Sequence, residues 1–145
     1  MRFLLLATAV VAAGLLVGTA RAAQPPDPCV LITNVDASTA LGSTPPQTKS
    51  KIVAGVRTCT YTVKKKSMSV QATKVATQSA FDKSVKKNKG LVIPIQGVGA
   101  DAWSANGTKL LVWENGFAIT MTFTGFEPFV ATQQSLAKTA LGRLP

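Results

Sequence analysis

The chain has no histidine, and its 145 residues include six acidic side chains, two cysteines, two tryptophans and one tyrosine. Without histidine, Ser-His-Asp and Cys-His nucleophilic catalysis is excluded. Two cysteines fall short of the four ligands a structural zinc site uses. The acidic residues, Asp27, Asp36, Asp82, Asp101, Glu114 and Glu127, are scattered along the whole chain, which argues against paired catalytic carboxylates. Asp36, Asp82 and Glu127 suit helix starts or exposed helix surface. Asp101 is the exception, set between glycines and a tryptophan, where a single carboxylate usually stabilises a turn. Ser-Lys chemistry needs only common residues, so composition leaves it open. The expectation is a protein without metal or cofactor that binds rather than catalyses.

What the sequence does have begins at its first residues. Arg2 precedes FLLLATAVVAAGLLVGTA, an apolar segment without a charge, and Ala20-Arg21-Ala22 places small residues where a signal peptidase reads. A membrane anchor is the competing reading, because the run borders on spanning length. The A-x-A site and the Ala/Gly content favour cleavage. We therefore expect a signal peptide at 1–22, an extended, Pro-stiffened leader at 23–32 carrying the first cysteine, and one domain at 33–145. Such a protein would be exported, periplasmic or secreted, and no second stretch is apolar enough to cross a bilayer. Cleavage would remove Arg2 and Arg21 from a chain of net charge +10, which stays strongly basic.

Cys29 and Cys59 both lie in the mature part, and an even count in an exported protein reads as a disulfide. Lipidation of Cys29 is the weaker alternative, since PDP precedes it instead of a small apolar triplet.

A first helix is predicted over 34–41, capped by Thr33 or Asn34 and ended by Gly42. Its apolar positions are Val35, Ala40 and Leu41. GSTPPQTKSK then breaks regular structure. RTCTYTV alternates Cys59, Tyr61 and Val63 against Thr58, Thr60 and Thr62; after KKKS, MSVQATKV continues the pattern as a hairpin. A second helix is predicted over 77–89, with Phe81 and Val85 on one face. KLLVWE and FAITMTFT flank Asn115-Gly116, the preferred pair for a type I′ turn. A last helix starts near Pro128, with Phe129, Leu136, Ala140 and Leu144 at helical spacing. Two helix-plus-hairpin units in tandem predict an α+β fold. Its antiparallel sheet would have four or five strands, one threonine-rich face and helices on the other.

Between the second helix and the last hairpin lies PIQGVGADAW, where Gly97, Gly99 and Ala102 fit G-x-G-x-x-G/A. A dinucleotide loop must open a helix that points its amides at phosphate. Only Trp103, Ser104 and Ala105 separate Ala102 from the Asn106-Gly107 turn, so that helix has no room. The glycines read as turn residues, and Asp101 and Trp103, with Gly97 and Gly99 beside them, mark the place to look for a pocket. Trp113 shares a strand face with Leu111 and reads as packing.

Lysines cluster at the first hairpin tip (Lys64, Lys65, Lys66) and along the second helix (Lys83, Lys86, Lys87, Lys89). Together they could attract nucleic acid, anionic lipid or a cell-wall polymer. Aromatics do not interleave with them, and hairpin tips and helix C-termini favour lysine in any case.

Three pieces, Pro28-Cys29 followed by a helix ending ALG, then Cys59-Thr60-Tyr61, then GVGADAW, form a combination. It resembles small exported bacterial domains of unknown function, often lipoproteins, with a P-C-x-L start and a G-[LV]-G-D-x-A-[WY] loop. This chain departs in lacking a lipidation signal and in having Ala100 before Asp101. The first departure implies a soluble rather than anchored protein, and the resemblance brings no catalytic residues with it. The function expected is non-catalytic binding of an unidentified partner. Polyanion binding through the lysines is one alternative, and a small hydrolase centred near Asp101 is the other.

Overall fold

A computed structural model describes residues 24–43 and 46–145. The expected signal peptide lies outside the described residues. The chain order is α1 (Pro28–Leu31), α2 (Asn34–Leu41), β1 (Gln47–Val53), β2 (Val56–Val63), β3 (Lys66–Lys74), α3 (Gln78–Lys86), β4 (Val92–Pro94), β5 (Asp101–Ala105), β6 (Lys109–Glu114), β7 (Phe117–Thr124) and α4 (Val130–Leu141). The strands form one antiparallel sheet in the order β1-β2-β3-β7-β6-β5-β4. Two meanders, β1–β3 and β4–β7, therefore meet where β3 pairs with β7. The fold is α+β with a C-terminal helix, as expected, but the sheet has seven strands instead of four or five.

Local chemistry explains the elements that were foreseen. The Thr33 side chain accepts from the Asp36 backbone N–H, and the Asp36 carboxylate accepts from the Thr33 N–H, which makes a reciprocal cap for α2. Gly42 ends that helix at φ 71°. Asn115 and Gly116 both take positive φ, 50° and 82°, as a type I′ turn requires. Side chains alternate on β7, with Phe117, Ile119, Met121 and Phe123 buried.

The additional strands sit at the edges. β1 falls in the segment expected to be irregular, and every one of its residues is exposed, so no buried face marks it in the sequence. It is held by backbone pairing to β2 through the Ala54-Gly55 turn, where both residues have positive φ. β4 is a three-residue edge strand that accommodates Pro94 because its outer side needs no donor. β5 begins at Asp101, so the segment after the glycines is a strand and not a loop.

The helices also divide differently from the one-face expectation. On face one, α1 and α2 pack against β2 and β3, and α4 packs against β6. They enclose a core in which Met68, Val70, Leu110, Val112 and Met121 are inaccessible to solvent. α3 crosses face two instead, where Phe81 and Val85 bury against Leu111, Ala118 and Ala105. A helix connecting β3 in the sheet centre to β4 at its far edge needs a face to cross, and three helices already occupy face one. The rest of face two carries the threonines in register: Thr58, Gln71 and Thr120 in one row, Thr60, Ser69 and Thr122 in the next.

Three smaller expectations change. The stretch around Cys29 is not fully extended: Asp27 accepts from the Cys29 N–H and caps the helical turn α1. Val35 points to solvent, 72% exposed, while Ala37 and Leu41 form the buried side of α2. Phe129 is 85% exposed at the start of α4, so the helix buries Leu136, Ala137 and Ala140 without it.

Face one holds the covalent and ionic ties. Cys29 and Cys59 form a disulfide with their Cα atoms 5.2 Å apart, joining α1 to β2. The buried Tyr61 hydroxyl donates to the Ile32 carbonyl beside it. Arg57 pairs with Asp27, and Arg143 pairs with Asp36 while also donating to the Leu31 carbonyl at 2.9 Å.

Candidate functional site

β5 is the strand that makes a site. Its alternation sends Ala102 and Ser104 into the core and leaves Asp101 and Trp103 on face two. There the flank of α3 faces them. Gln78, Asp82 and Lys86 recur every fourth residue on that helix, so they stand in one column beside the buried Phe81 and Val85. Column and strand together line a solvent-open cavity of about 560 Å³. Asn88, Gly90 and Val92 complete its lining.

The two carboxylates set its electrostatics. Asp101 is partly withdrawn from water, and this desolvation raises its pKa. The neighbouring Asp82 carboxyl raises it further, by favouring the protonated form through hydrogen bonding and by repelling a second negative charge. The Trp103 indole and Gln78 act in the opposite sense without cancelling the shift. The indole N–H is itself shielded from solvent, close enough to favour the Asp101 anion yet outside hydrogen-bond geometry. It is an unsatisfied donor at the cavity wall. Trp113, on the neighbouring strand, contrasts with it: its N–H donates to the Val75 carbonyl at 2.8 Å, and it packs beneath α3 as expected.

Gly97 and Gly99 do not line this cavity. They turn the chain between β4 and β5, and Gly99 is further constrained by crowding. At φ 57°, a Cβ there would lie 2.7 Å from Leu141 and 2.8 Å from Glu114. The Glu114 carboxylate accepts from the Ala100 N–H at 2.7 Å, fixing the approach to Asp101. Because β5 follows this loop, no helix N-terminus faces it, and the nucleotide pattern lacks its phosphate site.

The lysines separate. Lys64 and Lys65 form the β2–β3 turn and Lys66 opens β3, its Nζ 5.7 Å from the centre of the Phe126 ring. With Leu41 and Gly125 they border a shallow cavity of about 580 Å³ beside the end of α2. Lys83 and Lys86 belong to α3 and Lys87 caps it, on the opposite sheet face. Lys89 lies beyond the helix, which ends three residues earlier than expected. Of these, Lys86 alone lines the Asp101 cavity.

Asp82 and Gln78 are the site residues that sequence reasoning missed; the sequence pattern alone assigns Asp82 to a helix start or exposed helix surface. Two S-x-x-K spacings also fall on helices, at Ser84–Lys87 and Ser135–Lys138. The Ser84 hydroxyl is engaged with the Phe81 carbonyl at 2.6 Å. Ser135 borders a cavity of about 270 Å³ between α2 and α4 that Lys138 does not line. Among the described residues, no group of three or more Cys, Asp or Glu side chains is arranged to hold a metal ion, and no helix is long and apolar enough to cross a membrane. In comparisons with family models, curated proteins and solved structures, the chain has no match.

Proposed function

We propose that this chain is an exported, disulfide-stapled binding domain of the bacterial envelope or secreted fraction, and that the α3–β5 cavity is its ligand site. One observation carries the reading. Asp101 and Trp103, the two residues singled out in the glycine loop, meet a polar column of α3 in an open cavity of ligand-binding size. The disulfide agrees with folding in an oxidising compartment. The resemblance to small exported bacterial domains agrees with it as well.

Fragment screening by protein-observed NMR tests this. The two tryptophans supply two indole N–H signals. Hits should converge on Trp103 and on the Gln78 and Asn88 side-chain amides, leaving the Trp113 indole in place. Hits that gather on the α2–α4 groove, or none at all, would sink the proposal.

The hydrolase alternative required polar, solvent-open neighbours around Asp101, and Asp82, Gln78 and Lys86 supply them. Its test is turnover of ester and glycoside substrates that disappears in Asp101→Asn. Polyanion binding is the weaker alternative, because its two lysine clusters lie apart, one at the β2–β3 turn beside the end of α2 and the other on α3 across face two. It predicts heparin retention that falls in separate steps as each cluster is neutralised.

A further inference from the structure

We infer that the α3–β5 cavity takes a neutral saccharide unit, a ligand that presents hydroxyl groups on its edge and C–H bonds on its face. The inference rests on the proposal that this cavity binds a ligand, and it goes further by naming the class.

The lining has two characters. Asp82, Asp101 and Gln78 offer acceptors and an amide donor, Asn88 being engaged with the Ser84 and Val85 carbonyls and with Lys109, while Val85, Val92 and the Trp103 indole offer apolar surface. Other ligand classes fit one character and conflict with the other. A phosphate would meet two carboxylates with Lys86 as the one cation in the lining. A diamine would gain from the carboxylates but would face Lys86, with Lys83 and Lys87 close by on the same helix. A purely apolar ligand would strip water from both aspartates without replacing their hydrogen bonds.

A sugar ring satisfies each group in turn. Adjacent hydroxyls can each donate to one of the two carboxylates, which together offer several acceptor positions. The Gln78 amide can bond a further hydroxyl, and the ring's C–H face lies on the indole. The volume, about 560 Å³, fits one or two sugar rings.

The experiment follows the Trp103 and Trp113 indole signals of the folded mature protein during titration with three probes. These are a set of neutral disaccharides (maltose, cellobiose and diacetylchitobiose), putrescine, and inorganic phosphate. A saturable shift of Trp103, but not Trp113, with at least one disaccharide is the expected result. Asp101→Asn should weaken that response at least tenfold, and Lys64→Gln should leave it unchanged. Trp103→Phe, which keeps the strand packed, should retain weakened binding read from the Gln78 and Asn88 amides. Saturation by putrescine or phosphate with no response to any disaccharide overturns the saccharide assignment while leaving the cavity as a binding site. Silence of Trp103 and the amides toward all three overturns both.

Discussion

The two faces of this sheet are built by opposite rules. Face one carries three helices, the disulfide, both ion pairs and a buried tyrosine whose hydroxyl is satisfied. Face two carries one helix, rows of threonine and serine, a buried indole N–H without a partner and two carboxylates that repel each other. Asp27 and Asp36 on face one each have an arginine beside them, whereas the aspartates of face two chiefly have one another. The difference teaches where stability and chemistry reside: the charged groups of Asp27, Asp36, Arg57 and Arg143 and the Tyr61 hydroxyl on the first face are paired internally, and Asp82, Asp101 and the Trp103 indole on the second are left to meet something else.

The largest effect should come from the covalent tie of face one. Replacing Cys29 and Cys59 with serine reopens a loop spanning 30 residues. In the chain-entropy model this costs about 3–4 kcal/mol. Urea unfolding of oxidised and reduced protein measures it, and equal midpoints would show that α1 is held by packing alone. Tyr61→Phe comes next, since it strands the buried Ile32 carbonyl and should cost about 1–3 kcal/mol. Burial, followed by the negative charges of Asp36 and Asp27, pushes the Tyr61 pKa up to about 12. The stability this provides is complete below the unfolded pKa of 10 and is lost as pH rises toward 12. Ultraviolet titration of the only tyrosine reads that window directly, and ionisation near 10 in the folded protein would contradict the buried hydrogen bond.

Asp36→Asn should have a smaller cost, about 1 kcal/mol, by weakening the α2 cap and the link to Arg143. Burial alone would raise the Asp36 pKa, but hydrogen bonds from Arg143 and from the Thr33 backbone and hydroxyl outweigh it, so the net shift is downward. Its contribution is therefore present above the unfolded value of 3.8 and fades as pH falls below it. Acid unfolding that begins at the same pH in wild type and variant would remove Asp36 from the account.

How much of this was legible depended on how local the determinant was. α2 could be bounded to the residue because Thr33, Asp36 and Gly42 act within a single turn of the helix, and Asn115-Gly116 declared its hairpin for the same reason. β1 could not, because strand pairing needs only backbone and QTKSKIV buries neither face. The side of the sheet that α3 occupies was likewise hidden, since Phe81 and Val85 would pack against either face. Asp101 and Trp103 stood out as an odd insertion among glycines, but their partner did not. Asp82 lies 19 positions earlier and reaches Asp101 only because α3 crosses the sheet above the third strand of the second meander. The periodic polar set Gln78, Asp82 and Lys86, flanking an apolar pair, was the one available signal.

The smallest predicted effect is the sharpest test of the contrast, because its sign is reversed. Asp101→Asn removes a carboxylate whose pKa the fold raises, first through burial and then through Asp82. A group with a raised folded pKa favours the native state below its unfolded value of 3.8 and loses that contribution as pH rises through the folded value. At neutral pH the ionised Asp101 is therefore a slight burden, borne beside Asp82 and Lys86 of α3, the charged groups that face it across the cavity. The neutral asparagine keeps the shape and relieves the repulsion, so the thermal midpoint at pH 7 should rise slightly, and the gain should vanish below about pH 4. On face one, the same Asp-to-Asn exchange at position 36 lowers it. Were Asp101→Asn destabilising at pH 7, Asp101 would be a structural turn residue like Glu114, and face two would hold no strained charge for a ligand to relieve.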